Sequence, residues 1–289
     1  MTDGKMIVDT HVHCWDLSRA NYSWLQGDES ILNRTWKIEE LETERKKAGV
    51  TTGVLVQAAG NVEDTDLMLE TARNTTWIAG VVAWLPLEDP VATKKILQEK
   101  YLGEKYFKGV RHQVHDEKDA GWLLQSAVID SLKILAEYDI PYDVVGVLPA
   151  HLRTVLELTE KIPGLRMVLD HLNQPPIATK ERFGEWGQLM KEVAGHKNIY
   201  AKISGLGTAS GNFNNRTAND IKPYIEFALE HFGTDRCFCG GDWPVSVLGN
   251  SYSEIWKMYD EIINGLVTEE ESNKIFSKNA ISFYKLEIS

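Results

Sequence analysis

A (β/α)8 barrel, spanning residues 1–289 as one domain, is the fold class this chain predicts. Three observations carry the prediction. Eight short, mostly apolar runs recur along the chain, helical patterns separate them, and no change of composition interrupts the series. Runs without clean alternation fit strands buried on both faces, as in a parallel sheet. Strand–helix repeats at this length fit one barrel.

The elements follow in order. The first run, Met6–Thr10, leads into His11-Val12-His13. A helix over Ile38–Lys47 precedes the second run, Gly53–Gln57. Asp64–Arg73 reads as a helix, Trp77–Trp84 as the third strand and Phe107–His112 as the fourth. Leu124, Val128, Leu132 and Leu135 fall at helical spacing and set a helix over Leu123–Tyr138. Pro141–Val145 is the fifth strand, and Ala150–Lys161 follows Pro149, a favoured first-turn residue. Arg166–His171, Ile199–Ser204 and Arg236–Asp242 are strands six to eight, with helices over Phe183–Ala194, Ile221–Phe232 and Tyr252–Ile263. Thr268-Glu269-Glu270-Glu271 is a capping-box signature for the last helix. Two connections, Cys14–Trp36 and Gly205–Asn219, exceed what a barrel needs and leave the carboxyl ends of strands, so they read as lids.

A net charge of -11 argues against a nucleic-acid partner, which would want a basic face. It still permits an anionic substrate in a local cationic pocket. Cys14, Cys237 and Cys239 read as core thiols of a reducing cytosol. Asp3 and Asp9 flank too short an apolar stretch for a signal peptide. No run approaches the roughly 20 apolar residues of a membrane span. The expected setting is cytoplasmic, and a homo-oligomer is compatible with the sequence.

Polar residues gather where the strands end. Strand one offers His11 and His13, strand four Arg111 and His112, strand five Asp143, strand six Asp170-His171, strand seven Lys202 and Ser204, and strand eight Gly241-Asp242-Trp243. Alone, His-x-His also suits two hydrogen-bonded histidines, and Asp-Trp-Pro is a good turn sequence. Together, at one mouth, His11, His13, His171 and Asp242 make a plausible set of ligands for a divalent metal such as zinc. Asp242 can also take a proton from water and later return it to a leaving oxygen. Arg111 suits a substrate carboxylate or hydroxyls, with His112 and His115 as further candidates or loop histidines. Trp84, Trp243 and Trp24 suit apolar walls against a sugar face. Asp170, next to His171 on the strand, is expected to face the other way, between strand and helix.

These segments carry a family resemblance. Asp9-Thr10-His11-Val12-His13-Cys14-Trp15-Asp16, Gly109-Val110-Arg111-His112, Val168-Leu169-Asp170-His171-Leu172, Lys202-Ile203-Ser204-Gly205-Leu206 and Gly240-Gly241-Asp242-Trp243-Pro244 resemble the amidohydrolase superfamily. Within it they are similar to the branch of sugar lactonases, on the fuconolactonase and rhamnonolactonase side. The resemblance implies a distorted barrel and hydrolysis of a sugar-acid lactone, with His11, His13, His171 and Asp242 as metal or water-activating residues. Many superfamily members hold two metals through a lysine on strand four and a histidine on strand five. Here Val110-Arg111 and Asp143 stand there, which implies one metal, zinc, or none.

Two chemistries follow. In the first, Asp242-activated water opens an aldonolactone of fuconic, rhamnonic or galactonic type, His171 assists, and Arg111, His112, Asp143 and Lys202 bind hydroxyls. Opening of 2-pyrone-4,6-dicarboxylate is the near alternative, but a dianion would want several arginines at the mouth, where Arg111 and, on loop seven, Arg216 are the candidates. The second chemistry is decarboxylation, which needs a conjugated acid and a metal.

Overall fold

A computed structural model describes residues 5–179, 182–209 and 217–288. Eight strands, β1 (Val8–Val12), β2 (Thr52–Val56), β3 (Ile78–Ala83), β4 (Phe107–His112), β5 (Tyr142–Val144), β6 (Met167–Leu169), β7 (Ile199–Ile203) and β8 (Cys237–Cys239), pair in parallel in chain order. The sheet closes through a bridge between Val12 and Trp243, with Asp242 N–H donating to the His11 carbonyl at 2.7 Å and His13 N–H to the Trp243 carbonyl at 2.7 Å. The barrel is the expected fold.

Around it run α1 (Glu42–Ala48), α2 (Val62–Asn74), α3 (Pro90–Ile96), α4 (Ser126–Glu137), α5 (Pro149–Lys161), α6 (Gly184–Ala194), α7 (Leu206–Ala209), α8 (Ala218–Phe232), α9 (Tyr252–Asn264), α10 (Glu269–Asn273) and α11 (Asn279–Tyr284). The Thr268–Glu271 capping box forms as read, starting α10. Sequence reading misses α3, although its signal is present. Asp89 caps it, accepting from Val91 and Ala92 N–H, and Pro90 opens its first turn.

The interior has two storeys. Its lower part is apolar: Val8, Val54, Val56, Val82, Val168 and Phe238 pack on Ala280, Phe283, Tyr284 and Leu286 of the C-terminal segment, which plugs the barrel. Above lies a polar storey, because inward positions nearer the carboxyl ends are Asp143 and Lys202, both fully buried. A register irregularity between Asp9 and Val12 breaks the pleat of β1. That break turns His11 inward although Val8, three residues earlier, also packs inside.

Strand six ends at Leu169, two residues sooner than read. Asp170–Asn173 form a tight turn, and His171 to Gln174 all take left-handed backbone conformations. Val168 packs inside the barrel, so alternation turns Asp170, two residues on, inward as well, which corrects the expectation that it faces outward. The turn then redirects His171, which alternation alone would point away, back toward the mouth.

Candidate active site

The imidazoles of His11, His13 and His171 meet the Asp242 carboxylate at the upper mouth. Asp242 Oδ1 lies 3.6 Å from His13 Nε2 and 3.8 Å from His11 Nε2. Ligand atoms of His11, His171 and Asp242 lie within 4.8 Å of one another. Burial holds the pKa of His11 well below its usual value and lowers that of His171, so both rings are neutral at neutral pH. Neutral nitrogens and one carboxylate are the donor set a divalent ion wants.

Neighbouring groups fix how these side chains point. His13 Nδ1 sits 2.7 Å from the Val56 carbonyl, so Nδ1 carries the hydrogen and Nε2 is free toward Asp242. Ser204 Oγ lies 2.9 Å from His171 Nδ1 and accepts the His171 N–H at 3.3 Å. Asp170 Oδ1 faces His11 Nδ1 at 3.5 Å, the carboxylate–histidine arrangement that orients metal-type histidines. Asp170 would be raised by burial, but the Lys202 ammonium, His11 and Arg111 outweigh that and hold it well below the usual carboxylate range.

Asp9 is a residue that sequence reading passed over. Fully buried, its Oδ1 accepts the N–H of His11 at 2.9 Å and of Gly241 at 2.8 Å, and its Oδ2 accepts the Tyr252 hydroxyl at 2.6 Å. It thus ties the His-x-His strand to the turn carrying Asp242. Its place two residues before His11 was the available signal, since a polar residue inside an apolar run needs a buried partner.

A cavity of about 300 Å³ opens above this cluster, lined by His13, Arg111, His171 and Asp242 at its base. Trp15, Trp24, Gln113, His115, Asp116, Gln174 and Thr208 are among its walls. Arg111 is where the reading put it, but it is already engaged. It donates to Gln57 Oε1 at 3.2 Å, to the Gln57 carbonyl, and to Asp170 Oδ2 at 3.2 Å.

Several residues read as substrate-binding sit elsewhere. His112 alternates away from Arg111, stacks on Trp122 at 4.0 Å and lies 2.7 Å from Glu117 Oε1 through Nε2. Its Nδ1 receives the Trp84 indole N–H at 3.3 Å, and neither Trp84 nor His112 lines the cavity. Asp143 and Lys202 are sealed beneath the mouth, paired at 2.6 Å. Trp243 is buried edge-on against Trp36, at 5.4 Å between rings, and lines no part of the cavity. Of the three tryptophans read as walls, Trp24 is the one that lines the cavity. Arg216 and residues 210–216 of loop seven lie outside the described residues.

The loop after β1 is strapped down. Trp15 and Trp36 exchange backbone hydrogen bonds of 3.0 and 2.9 Å, and the Trp24 indole donates to the Ala58 carbonyl at 2.8 Å. Asp64, buried on α2, accepts the Tyr22 hydroxyl at 3.0 Å and the N–H groups of Ala58 and Ala59 at 2.9 and 3.1 Å. Burial pushes its pKa from 3.8 up to about 6. A carboxyl that is raised in the fold binds its proton more tightly there than in the unfolded chain. Its contribution to stability is complete below about pH 4 and is lost as pH rises through about 6, by ~3 kcal/mol. Asp64→Asn removes this dependence. In denaturant titrations the variant is expected to gain on the wild type by that amount between pH 4 and pH 7. A pH-independent difference between the two proteins rejects the assignment.

Among the described residues no helix is long and apolar enough to cross a membrane. The amidohydrolase family model matches residues 8–286. An L-fucono-1,5-lactonase of Burkholderia ambifaria is 28% identical over 283 residues, covering 97% of this chain and 96% of that protein. The crystal structure of a Burkholderia multivorans amidohydrolase with bound HEPES superposes with a TM-score of 0.90 at 26% identity, covering 98% of this chain and 100% of that one. A second crystal form from the same organism, with bound zinc, gives 0.89 at 26% identity over the same shares. With nearly its whole length matched and its histidines and aspartate gathered at the barrel mouth, this chain belongs to the amidohydrolase family.

Proposed function

We propose that this hydrolase opens the ring ester of a neutral sugar-acid lactone, of fuconic, rhamnonic or galactonic type. The observation that carries the reading is the pairing of Asp242 with imidazoles at the base of a cavity walled by Trp24 and by Gln113, His115, Gln174 and Thr208. Asp242 takes a proton from water as the water oxygen bonds to the lactone carbonyl carbon. Arg111, at the base of the cavity, faces the oxygen on which negative charge develops. The ring C–O bond then breaks, Asp242 returns its proton to the departing ring oxygen, and the open hydroxy acid leaves. His11, His13, His171 and Asp242 would hold one zinc ion, which when bound supplies positive charge to the water and the carbonyl.

Charge on the walls favours a neutral substrate. Asp116 and Asp242 line the cavity, and its one wall cation among the described residues, Arg111, is paired with Asp170. Burial pushes His115 down to about 4, so at neutral pH this wall ring is uncharged. Trp24 offers a flat apolar face for the C–H side of a sugar ring.

The test is kcat/KM for a panel of aldonolactones against 2-pyrone-4,6-dicarboxylate, at equal pH and salt. The aldonolactones are expected to be preferred. A clear preference for the dianion replaces this reading with the pyrone lactonase one. Carbon dioxide release from a conjugated acid, with no lactone opened, would instead favour decarboxylation.

A further inference from the structure

Beneath the mouth lies a second cluster of charges that the proposed reaction leaves unused. The Lys202 ammonium is fully buried, 2.6 Å from Asp143 Oδ2, 2.7 Å from Asp170 Oδ1 and 3.4 Å from His11 Nδ1. Two carboxylates and an imidazole around one cation are a metal-type donor set with an ammonium at its centre. The set is braced from both ends. From below, the Tyr284 hydroxyl of α11 donates to Asp143 Oδ2 at 2.7 Å. From above, Arg111 holds the other oxygen of Asp170 at 3.2 Å. Asp143 keeps one buried oxygen, Oδ1, with no hydrogen-bond partner among the described residues.

We propose that Lys202 is the resident cation of the polar storey beneath the mouth: it positions Asp170 against His11, and it fills the place between Asp143, Asp170 and His11 Nδ1 where a second divalent ion could bind. The residue touches no cavity wall, so it is a positioning residue. Without its charge, Asp170 would keep Arg111 as its one cation and Asp143 only the Tyr284 hydroxyl, and a buried negative charge without a partner draws in whatever cation fits. With it, the mouth is limited to one ion. This rests on reading the mouth as a one-metal site, but the decisive readout is metal content and does not depend on any lactone being turned over.

The full-length protein and Lys202→Met are incubated with zinc chloride, freed of unbound metal by gel filtration and assayed by elemental analysis. Lys202→Met is expected to retain one equivalent more than the wild type. A folded variant that retains no more than the wild type overturns the proposal. So does a wild type that retains two equivalents. Lys202→Met/Asp143→Asn removes one positive and one negative charge together, and covers the case in which the single variant does not fold. It is expected to bind as much metal as the wild type. On an aldonolactone its kcat should fall about tenfold or more, the usual scale for loss of a group that orients a ligand, with KM within about twofold. A rise in KM at unchanged kcat would mean that Lys202 contacts substrate and overturns the positioning role. If the wild type opens no lactone, the reading of the reaction fails, and the zinc count still decides the role of Lys202.

Discussion

Asp242→Asn is expected to lower kcat on an aldonolactone by about 10²–10⁴-fold, the range for loss of a general base, while the fold is kept. The amide has the shape of the carboxylate but cannot take a proton from water. Asp242 Oδ1 is the oxygen that faces both His13 and His11, so the substitution acts at the centre of the cluster. The backbone is spared. Asp242 has a φ of 55°, and asparagine is among the residues that tolerate that region. The closure of the barrel uses the Asp242 N–H and the His11 carbonyl, which the variant retains. Steady-state kinetics beside a thermal melt decides the matter. More than about a tenth of wild-type kcat, well above that range, would remove Asp242 from the base position.

Gly205→Ala should be nearly as damaging without replacing any ionisable group. Gly205 has a φ of 57°, and a Cβ there would lie 2.4 Å from His171 Nδ1, 2.9 Å from His171 Cγ and 3.0 Å from Asp242 Oδ2. Both side chains must move, and displacements of about 1 Å at a reacting centre cost on the order of 10²-fold in rate. The left-handed backbone adds ~1–2 kcal/mol of instability. Gly49→Ala separates the two effects. Its φ is 74° with a ψ of 12°, the left-handed region, and a Cβ there meets only Ile7 Cδ1, at 3.8 Å. It should lose similar stability and keep full activity. Equal losses of activity in the two variants would show that backbone strain, and not the crowding of His171 and Asp242, is responsible.

The resemblance and the residues agreed on His11, His13, His171 and Asp242, and these are the four side chains that meet at the mouth. Agreement was weaker for the surrounding shell. Asp143 and Lys202 were legible as polar residues in apolar strands, but not as partners of each other, because pairing between β5 and β7 depends on both strands facing one interior. Position alone suggests His112 as a hydroxyl-binding residue and Trp84 as an apolar wall. Pleat alternation turns His112 away from Arg111, and there it meets Trp84, Trp122 and Glu117.

What the sequence by itself determined is the periodic content: eight buried apolar runs, the helices between them, and the chemistry placed at the ends of the runs. Those features are local, since strand burial and helix patterning are written in spacings of a few residues. The tertiary structure decided everything that depends on where a strand stops or slips. The break in β1 sends His11 inward, and the end of β6 at Leu169 lets His171 turn to the mouth while Asp170 keeps the inward side of Val168. Barrel closure then sets Asp9 under both His11 and Gly241. A shift of a single residue reverses the direction of a strand side chain. No local pattern marks that shift, because it is fixed by pairing with strands distant in sequence.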